Sequence, residues 1–295
     1  MIEVTHFTDP GCPWAYSAWP ALTTLAWRYG DGLRWTLVTI GLAEERGQYA
    51  ARGYTATDMA LGWRTTFVRF GMPLAFTPKA DVSATSPGCR AIVATRLDAP
   101  EHEVAAFRAL QFEQFTTTRR LEDPALLRAA LTTVPGLDAD AIVARIDDPD
   151  VLAAYEADRA RARTAAGSPA EFQGRTANTD GAVRYTAPSL IFGTGGRSLE
   201  AGGFQPLEAY DVIVANLDVT LPRRAPASDP ADVLAVFPYP LASAEIAAAM
   251  APHLGEPDLL AAERALIGAV GEGGVVRTAA GNSSLWSLAG SAVAA

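Results

Sequence analysis

Two blocks of strand pattern, held apart by a long run of helical pattern, limit what this chain can fold into more than any other feature. The first block opens with Ile2–Phe7, rich in β-branched residues, and a turn at Thr8-Asp9-Pro10-Gly11. A helix is expected from Pro13, a residue suited to the first helical position. It should run to about Tyr29, kink at Pro20 and stop at Gly30. Leu33–Ile40 reads as a second strand, and a β-α-β opening is parallel by the crossover rule. From Thr55 to Ala166 apolar residues recur at helical spacing in six segments: 58–70, 85–97, 101–115, 124–131, 139–146 and 149–164. Strand pattern returns at Ser189–Phe192, turns at Gly193–Gly196 and continues through Ser198–Ala201, ahead of a helix over Pro206–Asn216.

A β-α-β unit, an inserted helical block and a β-β-α unit predict an α/β, thioredoxin-like fold with a large all-helical insertion. The expected divisions are 1–54 with 182–218 for the thioredoxin-like part and 55–181 for the insertion. A C-terminal lobe is expected over 226–295, beyond a Pro/Arg-rich linker at 221–226. Helical segments at 229–236, 243–250 and 259–270, followed by a hairpin about Ala280-Gly281-Asn282, give that lobe a winged-helix-like pattern. From Ser228 onward it carries seven acidic residues against two arginines, which would repel phosphate and excludes DNA reading; a docking or oligomerisation lobe is expected instead. The whole chain has a formal net charge of −9, so nucleic acid and anionic membrane surfaces are poor partners. No apolar stretch approaches the roughly 18 residues of a membrane span. The start of the chain lacks a basic, apolar leader, and two cysteines are too few for a disulfide framework. The expectation is a cytoplasmic protein with both thiols free.

The chemistry concentrates in Asp9-Pro10-Gly11-Cys12-Pro13-Trp14-Ala15. Cys12 falls between a strand and the start of a helix, where unpaired N–H groups and the positive dipole end favour a thiolate. On that ground it should ionise below the usual value of about 8.5 and act as a nucleophile. The alternative is a buried structural cysteine. His6, on the first strand, is either a base for Cys12 or a packed sheet residue. Cys89 follows Ser86-Pro87-Gly88 and is either a distant resolving thiol or an apolar helix residue. Trp14, Tyr16, Trp19, Trp63 and Phe67 offer aromatic surface for a pocket or for the core. No Cys/His spacing suggests a metal site.

These residues resemble the DsbA family of thioredoxin-like proteins, on the side of the FrnE-like group that shades into 2-hydroxychromene-2-carboxylate isomerases and kappa-class glutathione transferases. The likeness rests on Asp9–Trp14, Pro20, Ala187-Pro188-Ser189-Leu190-Ile191-Phe192 and Ala201–Pro206, and covers about residues 1–218. It implies Cys12 as catalytic nucleophile, and Pro13, Trp14, Ala187 and Pro188 as substrate-binding residues, with Pro188 a cis-proline opposite the thiol. His6, Asp9 and Cys89 are candidate accessories on the residues' own reading, outside what the resemblance implies. The chain departs from the family at Ala15, where a dithiol enzyme has its second cysteine. The resemblance therefore implies a cytosolic monothiol thiol-disulfide oxidoreductase or thiol transferase. It would act on a small molecule with glutathione or mycothiol as co-substrate and no tightly bound cofactor. A thiol-dependent cis/trans isomerase and a non-catalytic binding or regulatory protein are the alternatives, and a homodimer stays open.

Overall fold

A computed structural model describes residues 1–291; the last four residues of the expected lobe, 292–295, lie outside the described residues. The first strand, β1 (Ile2–Thr8), runs into a short helix α1 (Pro13–Ser17) and a longer one, α2 (Trp19–Tyr29). The expected single kinked helix is thus two helices. Pro20 has no N–H to return to Tyr16, so the ladder breaks at Ala18 and restarts with the Leu22 amide on the Ala18 carbonyl, 3.0 Å. β2 (Leu33–Thr39) then pairs parallel to β1, Thr5 opposite Thr36.

The inserted block begins with α3 (Ala56–Gly62), whose N-cap Thr55 accepts from the Asp58 amide. The helix expected over 58–70 does not continue as one. It widens into a π turn at Trp63–Phe67 and tightens to a 3₁₀ turn at Val68–Phe70, a path that buries both Trp63 and Phe67. The next helices follow the expected segments: α4 (Ser86–Asp98), α5 (Glu103–Thr116), α6 (Pro124–Thr132), α7 (Ala139–Arg145) and α8 (Pro149–Ala162); a single turn, α9 (Pro169–Phe172), follows where no helix was expected. The insertion is helical up to there. At its end two-residue strands, β3 (Thr176–Ala177) and β4 (Arg184–Tyr185), form an antiparallel hairpin, so strand structure precedes the expected return at Ser189.

β5 (Ser189–Thr194) lies antiparallel to β1, with β6 (Arg197–Ala201) at the edge, and α10 (Leu207–Leu217) closes the domain. The sheet order is β2-β1-β5-β6. Side chains alternate along β1: Ile2, Val4 and His6 face one side, packed under α2, α5 and α10, while Phe7 faces the other, with Cys12, Val38 and Tyr185.

The lobe comprises α11 (Pro230–Leu234), β7 (Leu241–Ala242), α12 (Ser243–Met250), α13 (Leu259–Gly271), β8 (Val275–Ala280) and β9 (Ser283–Leu288). β7 makes the expected hairpin a three-stranded sheet, β7-β9-β8. The lobe is fixed to the rest of the chain by a buried charge cluster. Glu245 on α12 accepts from both terminal nitrogens of Arg108 (2.8 and 2.7 Å), from the Thr23 hydroxyl (2.6 Å) and from the Ala242 amide (2.8 Å). Arg108 is in turn sandwiched between Trp19 and Tyr239. The exposed side of α13 carries Leu260, Ile267 and Val270, an apolar face with no cationic stripe for phosphate.

A buried thiol between a helix start and a cis-proline

Asp9 organises the loop that presents Cys12. Its carboxylate accepts from the Gly11 and Leu42 amides (2.8 Å each) and the Thr85 hydroxyl (3.0 Å), while its carbonyl accepts from the Cys12 amide at 3.1 Å. Residue 11 must be small: a Cβ there would stand 2.4 Å from the Thr85 methyl carbon. Cys12 is the N-cap of α1, extended at φ −85° and ψ 115°, with Pro13 in the first helical position. Its sulfur donates to the Ala187 carbonyl at 3.1 Å, across the Ala187–Pro188 bond, which is cis. Ser189 secures that loop: its hydroxyl donates to the Thr186 carbonyl and accepts from the Gly203 amide.

The thiol is only 5 % exposed, among Phe7, Ala15, Val38, Ile40, Tyr185 and Ala187. Burial is the largest influence on its ionisation and pushes it up to about 12. The Ala15 and Trp14 amides and the Arg184 charge pull it down by less, and Asp9 adds to the rise. The expected low-pKa thiolate is therefore corrected. The helix start is present, but desolvation outweighs it, and the resting group is a thiol with a hydrogen-bond acceptor.

Trp14 is partly exposed and stands in an aromatic group with Phe67 (ring centroids 4.9 Å apart), Phe70 (6.0 Å) and Phe204 (5.4 Å). Tyr16, Trp19 and Trp63 turn away into the core: the Tyr16 hydroxyl donates to the Pro73 carbonyl, and Trp63 packs on Phe115. His6 is excluded as a base for Cys12. It lies on the opposite side of β1, edge-on to Trp35 and Phe107, and burial lowers it to about 3, so it is neutral. Cys89, at the start of α4, is fully buried and unpaired; its sulfur donates to Asp9 at 3.5 Å. Burial raises the Cys89 thiol and the Asp9 carboxyl alike. Ala15, where a second cysteine would stand, is buried beside Cys12.

Two residues of the site carry no signal in the sequence. Tyr49 lies in the irregular stretch after β2, and Arg184 on the two-residue strand β4; the charge of Arg184 bears on both Cys12 and Tyr49. The one local hint is a cation three residues ahead of Ala187-Pro188 in an otherwise uncharged run. A groove of about 740 Å³ lies elsewhere, between α5, α6 and the lobe.

A family model for the DSBA-like thioredoxin domain matches residues 3–187. Among solved structures, a protein assigned as a protein disulfide isomerase from Nitrosomonas europaea aligns with a TM-score of 0.57 at 17 % identity, covering 73 % of this chain and 96 % of its own. A protein assigned as a DsbA oxidoreductase from Streptomyces coelicolor aligns with a TM-score of 0.55 at 18 % identity, covering 77 % and 93 %. At these identities the likeness concerns the fold. No curated protein matches the chain. No helix among the described residues is long and apolar enough to cross a membrane.

Proposed function

The chain belongs to the DSBA-like thioredoxin domain family, and from that premise we propose that it is a monothiol thiol-disulfide oxidoreductase in which Cys12 exchanges with a small disulfide and a small thiol. The observation that carries the reading is the Cys12 sulfur at a helix start, 3.1 Å from the carbonyl that precedes the cis Pro188, with Ala15 in the resolving position. That carbonyl and the adjoining strand offer backbone groups against which an extended substrate can lie.

The exchange has two steps. The Cys12 thiolate attacks a disulfide R–S–S–R′, forming Cys12–S–S–R′ and releasing R–S⁻, which takes the proton that Cys12 gave up. A thiolate R′–S⁻ then attacks the mixed disulfide on the R′ sulfur, yielding R′–S–S–R′ and restoring Cys12. The sum is R–S–S–R′ + R′–SH → R–SH + R′–S–S–R′, so one R′ thiol is oxidised for each R thiol released. No second protein cysteine is needed, in keeping with Ala15 and with Cys89 being engaged by Asp9. Glutathione or mycothiol fits R′–SH, and a reducing compartment suits two free cysteines.

The test is a coupled reduction of bis(2-hydroxyethyl) disulfide with either small thiol, together with mass spectrometry of protein purified without reductant. Wild-type protein is expected to turn over and to carry a thiol adduct on Cys12, and Cys12→Ser to do neither. Turnover that is equal in Cys12→Ser refutes the reading. Thiol-dependent isomerisation of an unsaturated substrate with no thiol consumed favours the isomerase alternative instead.

A further inference from the structure

Arg184 is buried, 6 % exposed, yet among the described residues no carboxylate stands within ion-pair distance of it; Asp9 and Asp180 act on its charge only from farther away. One terminal nitrogen donates to the Tyr185 carbonyl at 3.1 Å, and no other hydrogen bond from the described residues engages the guanidinium. The acid of its own hairpin, Asp180, is taken by Arg163 and lies 3.9 Å from Arg159. Glu44 is committed to the Tyr155 hydroxyl and Arg159. Asp9 is saturated by Gly11, Leu42, Thr85 and Cys89. Arg184 thus keeps most of its donor fork free in a place where a lone charge is costly. It adjoins the thiol through the chain: Tyr185 stacks on Phe7 in the Cys12 cluster, and Ala187 holds the sulfur.

We propose that Arg184 is a carboxylate-binding subsite beside Cys12 that holds the anionic end of the small thiol or disulfide reacting there. A guanidinium fork matches the two oxygens of a carboxylate. The subsite selects glutathione-like thiols, which carry carboxylates, over mycothiol, which has none. Burial lowers the pKa of Arg184, with the Arg163 charge adding to the fall and Tyr49, Asp9 and Asp180 opposing it. The inference rests on the reading of Cys12 as the exchanging thiol.

The test separates the subsite from that reading. In a Cys89→Ala background, Cys12 is reacted with the dianionic disulfide 5,5′-dithiobis(2-nitrobenzoate) and with uncharged 4,4′-dithiodipyridine. Arg184→Gln is expected to lower the ratio of the two rates about tenfold or more, and Arg184→Lys to retain part of it. A change in thiol ionisation or packing moves both rates together and leaves the ratio unchanged; that outcome overturns the proposal. Binding of S-methylglutathione, which cannot exchange, is measured by calorimetry alongside. Wild type and Cys12→Ser are expected to bind it alike, with Arg184→Gln weaker by about tenfold or more. This result stands even if the coupled reduction fails. Absence of binding to wild type, or binding unaffected by Arg184→Gln, overturns the proposal.

Discussion

The resting Cys12 should be a slow nucleophile at neutral pH, and the structure sets by how much. Held at about 12 in place of an ordinary 9.0, it is ionised about a thousandfold less at pH 7. The more basic thiolate is also more nucleophilic. With a Brønsted coefficient of roughly 0.45, three units return a factor of about twenty. The net expectation is exchange about fifty times slower than that of an unperturbed thiol. The rate should climb about tenfold per pH unit with no plateau up to pH 10. The measurement is the second-order rate with 4,4′-dithiodipyridine from pH 5 to 10, in Cys89→Ala so that one thiol reports, against a model peptide. A plateau that begins below pH 8 refutes the reasoning, since it would mean that the helix start prevails over burial. The linkage has a fixed sign. A native pKa above the unfolded value stabilises the fold below about pH 9, and that contribution is lost as pH rises toward 12.

Two further outcomes concern buried charge and buried base. Glu245→Gln leaves Arg108 charged, 1 % exposed and without its counter-ion, and should cost about 3–5 kcal/mol in urea unfolding, whereas a loss under about 1 kcal/mol would mean that the pair does not fasten the lobe. His6, lowered to about 3, is neutral when folded and takes up a proton on unfolding below pH 6.5, so stability is complete above that value and falls toward pH 3. From pH 7 to pH 5 wild type should lose roughly 2 kcal/mol by this route, and His6→Phe should abolish that loss; equal acid sensitivity in the two proteins would clear His6.

The long elements were legible because each satisfies one period over several residues. β1 and β2 run seven residues each, and the segments from Ser86 to Ala162 keep helical spacing between capping or proline starts. Elsewhere packing set the path. The 58–70 segment breaks because a π turn brings Trp63 and Phe67 inside together, which a straight helix does not do. β3, β4 and β7 are two residues each, too short to show alternation, and form only where a partner strand passes. Arg184 and Tyr49 were illegible for the same reason, as one sits on such a strand and the other in an irregular stretch, far apart in sequence.

Cys12 shows where local reasoning stops. Its place at a helix start was legible, and by itself that place predicts a reactive thiolate. A helix terminus contributes about 0.3–1 kcal/mol and at most about 2. A rise of three units corresponds to about 4 kcal/mol in the opposite direction. The second quantity depends on Phe7 of β1, Val38 of β2 with Ile40 just beyond it, and Tyr185 of β4, which cluster with Cys12, and no window around residue 12 contains them all. Because desolvation is the larger effect, reactivity at neutral pH has to come from a change in surroundings. On the proposed function, a substrate that enters beside Ala187 would have to supply that change by replacing the carbonyl as the partner of the sulfur, which would make binding and activation of Cys12 one event.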